Sequence, residues 1–109
     1  MHDRVEISQL MDCYGPLLTE KQLNIMELYY NDDLSLAEIA ELNSTSRQAI
    51  HDLIKRCYKQ FLSYESKLEL LKQSIEREKK IISLLDDMNN KYSIKEKDYN
   101  YYKEVLEEL

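Results

Sequence analysis

The chain has 109 residues, of which 33% are charged, and a formal net charge of −6 at pH 7. A single Gly, a single Pro and no Trp leave too few turn-forming residues for an all-β fold, which needs a turn about every 8 to 12 residues. The predicted fold class is therefore all-α, organised around one hydrophobic core. The acidic balance disfavours a protein that binds polyanions over its whole surface.

The hydrophobic pattern also sets the expected environment. No apolar run approaches the roughly 20 residues that span a bilayer, and the N-terminus lacks the apolar stretch of a secretory signal. We therefore expect a protein of the cytoplasm that does not associate with membranes. Cys13 and Cys57 lack the spacing of a metal or redox motif, and we expect both to pack as small apolar side chains. No cofactor, metal ion or small-molecule substrate is expected.

The first part of the chain predicts three helices in succession. Apolar residues at helical spacing predict a helix over residues 5–14, which the adjacent Gly and Pro end. The patterns TEKQ at 19–22 and SLAE at 35–38 are capping boxes, in which a hydroxyl and a side-chain carbonyl satisfy backbone N–H groups at a helix start. They predict a second helix that the acidic turn at 31–33 breaks, and a short third helix over 36–42.

A sharp turn and a cationic helix follow. The small polar residues NSTS at 43–46 favour a turn and leave Ser46 as the N-cap of the next helix. The predicted inward face of that helix is Ile50, Leu53, Ile54, Cys57 and Phe61. Residues 44–60 carry four basic side chains against one carboxylate, whereas residues 1–43 carry two against nine. This layout is typical of a helix-turn-helix that binds DNA through its second helix.

The exposed face of this cationic helix supplies the candidate DNA contacts. Arg47, Gln48 and His51 lie at its start, where side chains reach base edges, and Arg suits guanine as Gln suits adenine. The predicted phosphate contacts are Ser46, Lys55, Arg56 and Lys59. Asp52 shares the face and would repel phosphate. The alternative interpretation is that these charges only solvate a surface helix.

Beyond residue 60, apolar residues alternate at spacings of three and four as in a coiled coil. They predict a dimer seam of Phe61, Tyr64, Leu68, Leu71, Ile75, Ile82 and Leu85. A last helix, from a capping box at Ser93 and Glu96 to the end of the chain, could instead cover this stripe within one chain. The predicted domains are a helix-turn-helix domain over 1–60 and a helical extension and dimerisation segment over 61–109, together forming a dimeric helical bundle.

Three segments of the first 70 residues carry a resemblance to known proteins: LLTEKQ at 17–22, ELYYNDDLSLAEIAE at 27–41 and SRQAIHDLIKR at 46–56. They resemble region 4 of bacterial sigma factors and, more closely, the YlxM family of helix-turn-helix proteins. The resemblance implies an all-helical fold with a sigma-like helix-turn-helix. It also implies a regulatory protein linked to the signal recognition particle pathway, whose GTPase and RNA become candidate partners beside DNA.

The chain departs from this family at the turn. Asn43 and Thr45 stand where apolar residues usually flank the turn, and Ser44 stands where many such turns have Gly. Ile50 in place of Val is a milder change, and His51 in place of Tyr alters an outward side chain.

The sequence favours two classes of function, a DNA-binding regulator and a protein-interaction module, over an enzyme. An enzyme has little support, because a single Gly excludes both Gly-rich phosphate-binding motifs and no histidine lies at catalytic spacing. The first hypothesis is a dimeric DNA-binding regulator. The second is a protein-interaction module that binds the particle's GTPase or RNA instead of DNA, and the net charge of −6 favours it slightly.

Overall fold

The computed structural model describes residues 3–109, so the first two residues of the predicted helix-turn-helix domain lie outside it. The helices in chain order are α1 (Arg4–Tyr14), α2 (Glu20–Tyr30), α3 (Leu36–Leu42), α4 (Arg47–Leu68), α5 (Leu70–Tyr92) and α6 (Glu96–Glu107). A 3-10 turn, Gly15–Leu17, follows α1. Residues 3–109 contain no β-strand, and the predicted all-α class is confirmed. Within the same residues, no helix is both long and apolar enough to cross a membrane.

Side-chain caps fix the starts of the first four helices. Both predicted capping boxes form in α2 and α3, with hydrogen bonds of 3.0 to 3.2 Å in each direction. The backbone N–H of Ser35 donates to the carboxylate of Glu38 and thereby lowers the pKa of that carboxylate. At the start of α1, Asp3 accepts from the backbone N–H of Val5 at 2.8 Å. Local side-chain contacts thus stabilise the starts of these four helices.

The chain forms two compact units, one that ends at Leu71 and one from Lys72 to Leu109. The first unit holds a continuous hydrophobic core, in which α4 packs against α1, α2 and α3. Its buried residues are Ile7, Leu10, Met11, Tyr14, Leu18, Ile25, Met26, Tyr30, Ile39, Ala40, Ile50, Ile54, Cys57 and Phe61. The predicted inward face of α4 is confirmed, with Leu53 half-buried. Cys57 is fully buried and Cys13 half-buried, and burial raises the pKa of both thiols.

A break between α4 and α5 lies within the segment that carries the predicted coiled-coil seam. α4 continues through the predicted domain boundary at residues 60 and 61 and ends at Leu68, because Glu69 adopts a left-handed backbone with φ 53°. The backbone N–H of Leu70 donates to the Tyr14 hydroxyl at 3.1 Å, and that of Leu71 donates to the Glu65 carboxylate at 3.0 Å. The Tyr14 hydroxyl in turn donates to Glu65. Side chains of α1 and α4 thus cap the start of α5.

The second unit consists of most of α5 together with α6. Ile81 and Leu85 are buried in α5, whereas α6 has no buried residue. The hydroxyl of Tyr99 donates to the carboxylate of Asp86 at 2.7 Å. The predicted capping box at Ser93 is wrong: Ser93 adopts a left-handed backbone with φ 51°, and α6 begins only after Lys95 with no side-chain cap.

The residues of the predicted dimer seam fall into different surroundings. Three pack within the core of the first unit: Phe61, Tyr64 and Leu71. Two are buried or half-buried in the second unit: Leu85 and Ile82. Two are exposed: Leu68 and Ile75. The seam therefore does not form one continuous open stripe, and the homodimer stays a prediction.

Candidate nucleic-acid interface

The turn between α3 and α4 is held by hydrogen bonds from its side chains and backbone to α3. The side-chain amide of Asn43 donates to the backbone carbonyl of Ile39 at 2.8 Å, and the backbone N–H of Thr45 donates to that of Ala40 at 3.0 Å. Ser44 adopts a left-handed backbone with φ 52°, which explains why Gly is common at this position in such turns. Polar contacts to α3 thus replace the apolar flanks that this chain lacks.

Ser46 starts α4 as the sequence predicts. Its side-chain oxygen accepts from the backbone N–H of Ala49 at 3.1 Å, so the hydroxyl serves as the N-cap. The hydroxyl hydrogen stays available to donate to a phosphate oxygen, because capping uses only a lone pair of the oxygen. α4 then presents its first turn to solvent, with Ser46, Arg47 and Gln48 all exposed.

The three predicted base contacts lie together at the start of α4. Arg47, Gln48 and His51 line one shallow surface depression, whose remaining wall is Leu36 from α3. Arg47 and Gln48 are exposed, whereas the His51 side chain is 36% exposed. The Nδ1 atom of His51 is buried and has no hydrogen-bond partner among residues 3–109. His51 therefore offers only the exposed part of its ring to a ligand.

The predicted phosphate contacts of α4 form a second group. Lys55, Arg56 and Lys59 are exposed and line a neighbouring depression together with Ala49 and Asp52. Lys59 lies four residues after Lys55 and three after Arg56, so its side chain neighbours both of theirs on the helix surface. The two depressions cover the outward surface of α4 from its first turn to Lys59, and Gln48 and Lys55 are both accessible, as a DNA-binding face requires.

Asp52 lies on the exposed face of α4, as predicted, and it also forms a hydrogen bond that was not predicted. The side-chain amide of Gln48 donates to its carboxylate at 3.0 Å. The same carboxylate oxygen lies 3.6 Å from His51 Nδ1, which is too long for a hydrogen bond. The sequence could have predicted this hydrogen bond, because Gln48 and Asp52 are four residues apart and side chains at this spacing are neighbours on a helix.

The fold and this surface define a helical protein with a helix-turn-helix, in which α3, the turn at 43–46 and the start of α4 are the motif. Over residues 1–105 the chain matches the UPF0122 family, described as "Putative helix-turn-helix protein, YlxM / p13 like". The chain belongs to this family, which confirms the resemblance to YlxM proteins found in the sequence.

Relatives at high identity match most or all of the chain. A UPF0122 protein of Clostridium botulinum (strain Alaska E43 / Type E3) is 67% identical over 109 residues, which is 100% of both chains. A UPF0122 protein of Clostridium perfringens (strain 13 / Type A) is 55% identical over 100% of this chain and 97% of the relative. A UPF0122 protein of Clostridium novyi (strain NT) is 54% identical over 87% of this chain and 88% of the relative.

Proposed function

We propose that this chain is a DNA-binding regulatory protein that uses α4 as its recognition helix. The observation that carries the proposal is the exposed polar and cationic face of α4, from Arg47 to Lys59, held at the end of a helix-turn-helix. The rest of the sequence is acidic, so phosphate would be repelled from most other surfaces. α4 is the element that a DNA duplex would approach.

The order of side chains along α4 suits the docking of a helix in the major groove. In a helix-turn-helix, the first residues of the second helix contact base edges while neighbouring groups bind phosphate. Arg47 would donate two hydrogen bonds to guanine, and Gln48 would pair with adenine. Lys55, Arg56 and Lys59 lie further along and would neutralise phosphates, with the hydroxyl of Ser46 as a further phosphate contact.

A titration with selected duplexes tests this proposal. Duplexes that bind the protein are first selected from a randomised pool at low salt, and their affinity is then measured by fluorescence anisotropy. Arg47→Ala combined with Gln48→Ala should erase the sequence preference, since base contacts and not phosphate contacts carry it. Lys67→Ala removes a basic side chain from the far end of the same helix and is the matched control. No binding to any duplex at low salt would end the proposal.

We also propose that the regulator acts as a homodimer, because one copy carries only four basic side chains in its DNA-binding segment. A second copy would double the phosphate contacts and read a second half-site. Sedimentation equilibrium of the wild type and of Ile75→Glu tests the dimer, since Ile75 is a seam residue that is exposed in the single chain. The expected result is a dimer that the substitution weakens. A monomer mass at every concentration of the wild type would exclude it.

The second candidate is a module that binds the GTPase or the RNA of the signal recognition particle. The net charge of −6 and the nine carboxylates of residues 1–43 favour a protein partner with a basic surface. Co-elution with the purified particle, followed by its GTP hydrolysis rate with and without the protein, tests this candidate. Unchanged rates and no co-elution argue against it.

A further inference from the structure

The pair of Gln48 and Asp52 constrains what the recognition helix can read. A carboxylate only accepts hydrogen bonds, so the nitrogen end of the Gln48 amide must face Asp52, as the 3.0 Å contact shows. One of the two amide N–H bonds is thereby committed within the helix. The other N–H and the amide oxygen stay available to a ligand, and Gln48 is exposed.

The remaining donor and acceptor match one base in the major groove. Adenine presents the N7 acceptor beside the N6 amino donor, which pairs with one N–H and one oxygen. Guanine presents two acceptors, N7 and O6, and a glutamine needs both of its N–H bonds to satisfy them. Because Asp52 holds one N–H, the bidentate guanine mode is lost. The adenine mode uses the amide oxygen and the N–H cis to it, and it is kept when Asp52 accepts from the trans N–H.

We infer that Asp52 is a specificity-determining residue, which positions the Gln48 amide for adenine and discriminates against guanine at that base pair. This inference rests on the proposed DNA-binding function. Asp52 acts through Gln48 and not by contact with the base. Its charge also repels phosphate, so Asp52 lowers the affinity for every duplex while raising the preference for one base.

The inference can be tested because Asp52 should lower the affinity for DNA but raise the preference for adenine. Affinities of the wild type, Asp52→Ala and Asp52→Asn are measured for the selected duplex and for the same duplex with guanine in place of the adenine at Gln48. Asp52→Ala should raise the affinity for both duplexes and lower the adenine-to-guanine ratio by about 5-fold or more, which is the weaker limit for one bidentate pair. Asp52→Asn keeps an accepting oxygen without the charge, so it should raise the affinity and keep the ratio.

The control variant removes a carboxylate that forms no hydrogen bond with Gln48 among residues 3–109. Glu41→Gln, at an exposed position of α3, should change the affinity without any change in the base ratio. The Asp52 side chain is 56% exposed, so its replacement should leave the thermal unfolding midpoint nearly unchanged. A helix that had merely been damaged would lose affinity, whereas the inference requires a gain.

Two results would overturn the inference while the DNA-binding function stands. One is an adenine-to-guanine affinity ratio in Asp52→Ala equal to that of the wild type. The other is a fall of this ratio in Asp52→Asn as large as in Asp52→Ala. Absence of DNA binding by the wild type would remove the function itself and the inference with it. NMR relaxation of the Gln48 side-chain amide in the free protein supplies a readout without DNA. Its order parameter should fall in Asp52→Ala and stay near the wild-type value in Asp52→Asn, and an unchanged value in Asp52→Ala would contradict the positioning role.

Discussion

The two compact units differ in how their helices bury side chains. In the first unit each of α1 to α4 contributes buried residues to one core, and caps fix the helix starts. In the second unit only Ile81 and Leu85 are buried, and α6 buries no residue. The first unit therefore carries the main hydrophobic core and the candidate interface, whereas the second should open at a lower free energy, because it has few buried apolar contacts.

The largest expected effect comes from the core of the first unit. Phe61→Ala should lower the free energy of unfolding by about 3 to 5 kcal/mol, because the ring is fully buried and its loss leaves a cavity. Leu62→Ala, next to it and 42% exposed, is the matched control and should cost about 1 kcal/mol or less. Urea unfolding followed by circular dichroism measures both. A loss below about 1 kcal/mol for Phe61→Ala would mean that Phe61 does not stabilise this core.

The junction between α4 and α5 should give the next effect. Tyr14→Phe removes the hydroxyl that accepts from Leu70 and donates to Glu65, and leaves the backbone N–H of Leu70 without this partner. The expected cost is about 1 to 3 kcal/mol. Hydrogen exchange should show faster exchange at Leu70 in this variant and not in Tyr64→Phe, which keeps the junction contacts. Equal exchange in both variants would show that Tyr14 does not cap α5.

One tyrosine in each unit has a raised pKa, so the pH dependence of stability can be compared between the two units. Tyr30 is buried in the first unit with no hydrogen-bond partner for its hydroxyl among residues 3–109, and burial raises its pKa to about 12. Below pH 10 the hydroxyl is neutral in both the folded and the unfolded chain. Since the pKa is near 10 in the unfolded chain, ionisation of Tyr30 in the unfolded chain alone lowers the stability of the wild type as the pH rises from 10 towards 12. Tyr30→Phe should unfold less readily in that range and gain up to about 1 kcal/mol at pH 7.

Tyr99→Phe is the counterpart in the second unit. The hydrogen bond to Asp86 raises the pKa of Tyr99, so this bond stabilises the folded state below the unfolded pKa, and its contribution is lost as the pH rises through the raised folded pKa. Its removal should cost stability at pH 7, opposite in sign to Tyr30→Phe. Thermal unfolding from pH 7 to 12 measures both variants. Destabilisation by Tyr30→Phe at pH 7 would show that its hydroxyl has a partner.

The smallest expected effect concerns left-handed residues in the two units. Ser44 and Ser93 both have positive φ, a conformation that Gly adopts without strain. Ser44→Gly should raise the main unfolding midpoint by a few degrees, equivalent to about 0.5 to 1 kcal/mol. Ser93→Gly should leave that midpoint unchanged, because the second unit opens first. An equal rise for both variants would show that the units unfold together.

Local sequence predicted those features that depend on neighbouring residues. The capping boxes of α2 and α3, the turn at 43–46 and the inward face of α4 each need only residues within a few turns of one another. The break at Glu69 carries no such signal, because neither Gly nor Pro marks it. It depends on Tyr14, which lies 51 residues before Glu65 in the chain. A contact between residues so distant cannot be inferred from periodicity.

In the candidate interface, too, features set by nearby residues were predicted and features set by tertiary packing were not. Exposure of Arg47, Gln48 and the lysines followed from the helical period, but the sequence did not indicate the burial of His51 Nδ1, which lies where His51 and Leu36 of α3 line one depression. The Ser93 capping box failed because its spacing matched a common pattern while the backbone at Ser93 is left-handed. A pattern of two residues is therefore weaker than a pattern supported by a whole helix face.

The central claim is that the cationic face of α4 binds DNA, and its salt dependence tests this most directly. The logarithm of the association constant should fall linearly with the logarithm of salt concentration, with a slope of about −0.9 for each phosphate neutralised. Lys55→Gln combined with Lys59→Gln should reduce that slope by roughly two while the preferred sequence stays the same. If the double variant kept both the affinity and the salt-dependence slope of the wild type, the cationic face of α4 would not be the DNA-binding surface.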